Sequence, residues 1–324
     1  MPTVAPLDLD GHCVAAAFLG GVPFFALADG AVHRLDHGHK SAQAHDGLLS
    51  AATDWSNSRL ITGGEDGKVV ATSADGSTEI LAELGRKWIT GVAAGPKTAV
   101  GFASGRSAWV RLDDGKLKEF QHPRSVEGIA FSPKGLRIGV ARYNGATLHF
   151  PAADGKPVEL QWDGAHTGIT FSPDGNFVVT TMQENALHGW KLSDGKHMRM
   201  TGYPGKVKSI SWSARGKWLA TSGASAAIVW PFASKDGPMG KAPLELGTRG
   251  NTMVTAVSCH PTDEIAAVAY EDGMILACRF ADQKEVLLRR QGKSAVTAMV
   301  WDAEGRRLAF GSATGECGVV DISG

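Results

Sequence analysis

The chain of 324 residues carries 33 Lys plus Arg against 33 Asp plus Glu, with 43% hydrophobic and 20% charged residues. A net charge of zero argues against a general polyanion-binding surface, so no nucleic-acid partner is expected, and no apolar window is long enough to cross a membrane as a helix. The length would allow two domains, but closed all-β architectures commonly run this long as one, and a single domain spanning 1–324 is expected.

In chain order, Met1 to Asp10 holds Asp8 and Asp10 and no Lys or Arg, unlike the basic start of a secretory signal. The apolar stretch from Val14 to Leu27 is interrupted by glycines and Pro23 and ends in the turn Ala28-Asp29-Gly30. A cytoplasmic protein with no membrane contact is expected. From there short apolar strands alternate with turns. The strands that open successive units begin near Val14, Leu49 and Ile89, then at Val126, Thr167, Val207, Val254 and Val296. That makes eight units spaced by roughly 35 to 47 residues, the period of repeat folds built from short strands. Ala, Gly, Ser and Thr lie between Val, Ile and Phe in these strands, as crowded inner strands require.

One phrase recurs after the opening strands. Phe131-Ser-Pro-Lys-Gly135 returns as Phe171-Ser-Pro-Asp-Gly175, with looser copies at Trp212-Ser-Ala-Arg-Gly216, Cys259-His-Pro-Thr-Asp263 and Trp301-Asp-Ala-Glu-Gly305. Proline presets φ, Asp bonds back to the backbone and Gly takes the awkward last position, so each copy predicts a tight turn. Second turns follow at Asp29-Gly30, Asp66-Gly67, Asn144-Gly145 and Asp272-Gly273, all hairpin signals. Third strands carry Trp109, Phe150, Trp190, Trp230 and Phe280, and third turns fall at Asp75-Gly76, Asp114-Gly115, Asp154-Gly155, Asp194-Gly195 and Asp236-Gly237. The last unit stops at Val319-Val-Asp-Ile-Ser-Gly324 without an outer strand. Thr3-Val-Ala-Pro-Leu-Asp-Leu9 is placed to supply one, since Pro6 is tolerable on an edge.

Phe-Ser-Pro-Asp-Gly, an apolar strand, a small-Gly-x-Asp-Gly turn and an aromatic strand together resemble the WD-repeat β-propeller family. Ile61-Thr-Gly-Gly-Glu-Asp-Gly67 is similar to that family's second strand and turn, and Ala165-His166, Ala44-His45 and Gly11-His12 fall where its Gly-His dipeptide sits. The resemblance covers nearly the whole chain. It implies an all-β propeller of four-stranded antiparallel blades, eight by the unit count with seven as the alternative, closed by pairing of the N- and C-terminal strands. No repeat ends in Trp-Asp: Trp190 is followed by Lys191 and Trp230 by Pro231. The family's internal Asp-His-Ser-Trp hydrogen-bond network is therefore expected to be complete in few blades.

Catalytic motifs are scarce. Gly101-Phe-Ala-Ser-Gly105 sits on a strand and turn rather than a strand-to-helix elbow, and there is no P-loop or dinucleotide fingerprint. His33, His37, His39 and His45, with Asp36 nearby, have spacings that zinc would accept, but the stretch reads as an exposed turn with His45 structural. Cys13, Cys259, Cys278 and Cys317 form no CxxC and read as buried thiols; the sharper alternative is a Cys13–Cys317 staple in an oxidising compartment. No enzyme, metal or cofactor is expected. What the resemblance implies is recognition through the loops that enter the inner strands and through the second hairpin turns. Those loops carry Arg86, Lys87, Trp88, Arg124, His166, Tyr203, Lys206 and Met253, and those turns Arg142, Tyr143, Met182 and Tyr270. Trp, Tyr and Arg are the residues that anchor interfaces, and Met adapts. The expectation is a monomeric, non-catalytic scaffold that binds protein partners through these twelve residues. The alternative is small-ligand or metal binding, with a propeller enzyme as its extreme form, at the mouth of a central channel.

Overall fold

The computed structural model describes residues 3–36, 38–153 and 155–323. Every regular element among them is a β-strand. In chain order, β1 (Thr3–Asp8) is followed by β2 (Cys13–Leu19), β3 (Val22–Leu27), β4 (Ala31–Leu35) and β5 (His39–Gln43). Next come β6 (Leu48–Thr53), β7 (Arg59–Gly64), β8 (Lys68–Ser73) and β9 (Thr78–Glu83), then β10 (Gly91–Ala94), β11 (Val100–Ser104), β12 (Ser107–Arg111) and β13 (Leu117–Gln121). The middle of the chain gives β14 (Val126–Phe131), β15 (Ile138–His149), β16 (Val158–Phe171), β17 (Phe177–Met182), β18 (Ala186–Lys191) and β19 (His197–Met200). The rest gives β20 (Ile210–Trp212), β21 (Trp218–Thr221), β22 (Ala227–Pro231), β23 (Leu244–Leu246), β24 (Val254–Cys259), β25 (Ile265–Tyr270), β26 (Ile275–Arg279) and β27 (Glu285–Arg289), and finally β28 (Val296–Trp301), β29 (Arg307–Ser312) and β30 (Glu316–Asp321).

The chain divides into two compact units, Met1–Leu27 with Thr201–Gly324, and Ala28–Met200. The first unit holds three four-stranded sheets: β20 to β23, β24 to β27, and one of order β1-β30-β29-β28. In the last, β1 runs antiparallel to β30, from Thr3 opposite Asp321 to Asp8 opposite Glu316. The second unit holds the four-stranded sheets β6 to β9 and β10 to β13, and a six-stranded sheet from β14 to β19. In the first unit β2 also pairs with β3, and in the second β4 pairs with β5, both antiparallel.

Seven sheets, not the eight blades expected from the unit count, are present among the described residues. The fourth and fifth units are the reason. Asn144-Gly145, read from sequence as a hairpin turn, lies inside β15: Asn144 takes φ 63 and Gly145 φ 120, and the register shifts there without ending the strand. A step of two residues along β15 meets a step of four along β16, an irregularity of the ladder that leaves both strands in one sheet. β15 pairs with β14 as far as Arg142 and with β16 from Tyr143 onward. β16 in turn pairs with β15 as far as Ala165 and with β17 from His166. Two long strands thus merge what the repeat spacing separates.

The repeated turn forms as its residues dictate. In Ser172-Pro-Asp-Gly175, the Ser172 hydroxyl donates to Asp174 at 2.5 Å and accepts from the Phe177 backbone N–H at 2.9 Å, while Gly175 sits at φ 65. A second regularity has no sequence signature of its own. Six opening strands shift register just after their first pair: β2 at Cys13/Ala15, β6 at Leu48/Ser50, β14 at Val126/Gly128, β16 at His166/Gly168, β24 at Val254/Ala256 and β28 at Val296/Ala298. β10 has no such pair; its ladder starts at Gly91.

Cores lie between successive sheets. In the second unit, Ile61, Val69, Leu81, Ile89, Val92, Phe102 and Trp109 form one buried cluster. In the first, Ile275, Val296, Trp301, Leu308, Phe310 and Val320 form another. Each fully buried large side chain stabilises the fold by roughly 1.5–3 kcal/mol relative to exposure. All four cysteines are buried and free, so no Cys13–Cys317 staple is formed. Burial pushes the Cys259 and Cys278 thiols up to about 12, leaving them protonated and unreactive at neutral pH.

Candidate partner-binding cleft

The second unit contains an open cleft of about 670 Å³ at one end of the sheet β10 to β13. Lys87, Trp88 and Thr90, from the segment entering β10, form one wall. Ser104, Gly105, Arg106 and Ser107, the turn from β11 to β12, form another, and Trp109, Gln121 and His122 complete the lining. Backbone bonds fix these walls. The entering segment is tied by Leu84 N–H to Gly67 O at 2.9 Å, Ile89 N–H to Gly64 O at 2.9 Å and Thr90 N–H to Ala103 O at 2.9 Å. The turn accepts from His122 N–H at Arg106 O (2.8 Å) and from Val126 N–H at Gly105 O (2.8 Å). Gly67 is required for this: it takes φ 77, and a Cβ there would collide with the Gly85 carbonyl oxygen.

The side chains on these walls differ sharply in exposure. Trp109 is buried, stacked on Phe102 with ring centroids 5.6 Å apart. Lys87 Nζ lies 6.0 Å from the Trp109 ring centroid, at the outer limit of a cation–π contact. Trp88 is 56% exposed. Arg86 and Arg106 are exposed as well, and so is Arg124 in the segment between β13 and β14. No carboxylate is among the residues lining the cleft. Among the described residues, none of Arg86, Lys87, Arg106 and Arg124 makes an ion pair.

Below the cleft the polar groups are already engaged. His122 is buried with its Nε2 3.3 Å from His149 Nε2, and His149 stacks on Phe120 at 4.3 Å. Burial, and then the nearby Arg142 charge, lower the His122 pKa, and burial with the His122 charge brings His149 down to about 4. Both rings are therefore neutral at pH 7.

The twelve residues singled out from sequence separate into two groups. In the second unit, Arg86, Lys87, Trp88, Arg124 and Tyr143 (50% exposed) face solvent, whereas Arg142, His166 and Met182 are buried. Arg142 donates from Nε to Thr147 Oγ1 at 3.0 Å and pairs with Glu159 through Nη2. His166 is bonded to Thr180 Oγ1 at 2.7 Å. In the first unit, Lys206 is exposed and Met253 half-buried, but Tyr203 and Tyr270 are buried. The Tyr203 hydroxyl meets Thr221 Oγ1 at 2.7 Å and accepts from Trp230 Nε1 at 2.6 Å, and Tyr270 donates to the Gly247 carbonyl. These five buried side chains hold strands together. The structure brings Lys87 and Trp88 into one cleft and adds Arg106 and His122, which the sequence reading passed over. Arg106 had a usable signal: with Gly105 it forms the turn from β11 to β12, a cation in the second hairpin turn of its unit.

The histidine-rich stretch does not assemble a metal centre among the described residues, where no group of three or more His, Cys, Asp or Glu is placed to hold an ion. His33 Nδ1 and His39 Nε2 lie 2.7 Å apart with stacked rings; His37 is outside the described residues. No helix among the described residues is long and apolar enough to cross a membrane.

Comparison with known proteins bears on the fold. The family model described as WD domain, G-beta repeat, matches residues 196–230, and that described as anaphase-promoting complex subunit 4 WD40 domain matches residues 257–324. No curated protein matches the chain. Among solved structures, the crystal structure of the computationally designed Ika8 protein is similar, with a TM-score of 0.75 and 20% identity over 97% of this chain and 98% of that one. At that identity the likeness speaks to fold alone. The two family matches, together with the succession of antiparallel four-stranded sheets, support a WD-repeat β-propeller.

Proposed function

We propose that the chain is a non-catalytic scaffold that binds protein partners, and that the cleft around Trp88 is one of its docking surfaces. WD-repeat propellers commonly act as protein-interaction scaffolds. The observation that carries the reading to this place is Trp88 itself. A tryptophan left 56% exposed at the rim of a 670 Å³ cleft leaves apolar area in water that a partner would cover. Tyr143, also exposed and in the same unit, offers a second aromatic anchor. The buried Tyr203, Tyr270, His166, Met182 and Arg142 take no part in this docking surface.

The test is affinity capture from the source cell with the intact chain and with a Trp88→Ala/Tyr143→Ala variant. The variant is expected to retain its melting temperature and lose captured partners. An unchanged set of partners at unchanged yield, on a folded variant, would refute the docking assignment.

A further inference from the structure

The chain carries no net charge, yet the cleft is lined by cations and no carboxylate, with two more cations near its lining residues in sequence; Glu119, cross-strand from Trp109, lies outside the lining. Lys87 and Arg106 line the cleft, and Arg86 and Arg124 belong to the segments that enter β10 and β14. Elsewhere on the same unit several bases are matched by acids: Lys116 with Asp114 at 2.8 Å, Lys97 with Asp113 at 3.6 Å, Lys191 with Asp194 at 3.1 Å. Leaving the lining cations unmatched keeps a positive potential in the cleft, which favours an anionic partner and excludes a cationic one. The cleft also offers neutral polar groups, the hydroxyls of Ser104 and Ser107 and the Gln121 amide, on the same lining as Trp88.

From this we infer that the cleft takes an acidic, extended peptide segment of a partner protein, with an apolar side chain against Trp88 and carboxylates directed to Lys87 and Arg106. The inference rests on the docking reading above and adds the chemistry of what docks. A peptide suits the site better than a nucleic acid. Single strands are held by successive aromatic platforms along a continuous basic groove, whereas one exposed tryptophan stands here on a chain of zero net charge. Each exposed ion pair contributes only about 0.2–1 kcal/mol and is screened by salt, so the charges select the partner while the aromatic contact supplies affinity.

Fluorescence anisotropy with the intact chain tests this. The probes are a fluorescein-labelled octapeptide of Asp and Glu around a central Leu, its counterpart with Lys in place of every acid, and an eight-nucleotide oligouridine. The acidic peptide is expected to bind with a Kd below roughly 1 mM at low salt, and to weaken several-fold as salt rises from about 50 to 300 mM. Trp88→Ala should weaken it about fivefold or more, a loss of roughly 1 kcal/mol. Lys87→Glu with Arg106→Glu should abolish its binding and admit the Lys peptide instead. If that double variant fails to fold, Lys87→Gln with Arg106→Gln replaces it, with loss of the acidic peptide as the readout. Absence of acidic-peptide binding to the unaltered chain, equal binding by the charge-altered variants, or tighter binding of oligouridine would each overturn the inference. Partner capture that is lost in the Trp88→Ala/Tyr143→Ala variant while the acidic peptide fails to bind would overturn the acidic chemistry alone; unchanged capture would overturn the docking reading itself.

Discussion

In the sheet β6 to β9, the middle of the second strand carries Thr62, opposite Ala51 on one side and Val70 on the other. In the next sheet, β10 to β13, the same place is held by Phe102, between Val92 and Trp109. The consequences diverge from that one position. Thr62 offers a hydroxyl, and His45 comes in to meet it at 2.8 Å, with its other ring nitrogen 3.0 Å from Asp66. The histidine ends 2% exposed and its loop is pinned. Phe102 offers a ring, which stacks on Trp109. The Phe102 ring has no hydroxyl to hold an entering side chain, and Trp88 stays in solvent. One corner commits its entering loop to stability, and the other leaves the tryptophan of its entering loop in solvent, where the proposed docking would cover it. The same polar solution recurs with different letters at Tyr203, Thr221 and Trp230 in the first unit.

Substitutions can break or sharpen this contrast. The largest effect is expected from Phe102→Ala, which should cost about 3–5 kcal/mol in urea unfolding because it removes a fully buried ring and leaves a cavity. Acidification comes next. His188 is buried with both ring nitrogens unpartnered, and burial, reinforced by the His197, His166 and Arg199 charges, holds its pKa down at about 3. The unfolded chain therefore takes up this proton first, near pH 6.5, so stability is full above that pH and falls as pH drops toward 3. The slope is at most about 1.4 kcal/mol per pH unit for this group, and His188→Phe should flatten the unfolding curve measured from pH 7 to 4. A smaller loss, about 1–2 kcal/mol, is expected for Thr62→Val, which keeps the shape of the His45 corner and removes its hydroxyl. The smallest is Trp88→Ala, within about 0.5 kcal/mol by thermal unfolding. A large loss there would mean that Trp88 is packed as part of the core, and the contrast between the two corners would fail.

Much of the strand order could be read from the sequence because turns are local. Ser172, Asp174 and Gly175 bond largely among themselves and with Asn176 and Phe177, so near neighbours explain one another. The six recurring bulges were hidden because a register shift depends on the partner strand. Asn144-Gly145 misled the unit count for a related reason: the pair accepts positive φ equally in a hairpin and at a register shift within a strand, and only the pairing of β15 with β16 decides between them. The candidate site was half legible. Lys87 and Trp88 stood out by residue type, but the hydrogen-bond partners of Tyr203 and Tyr270 lie far along the chain, and without them those tyrosines read as surface anchors.

The fusion of two units through β15 and β16 also sets how that part of the molecule opens. Amide protons in β16 are shielded by β15 along its first half and by β17 along its second. Fraying from either side must cross one continuous backbone, so the amides from Val158 to Phe171 should exchange with solvent as a single cooperative block rather than as two independent ones.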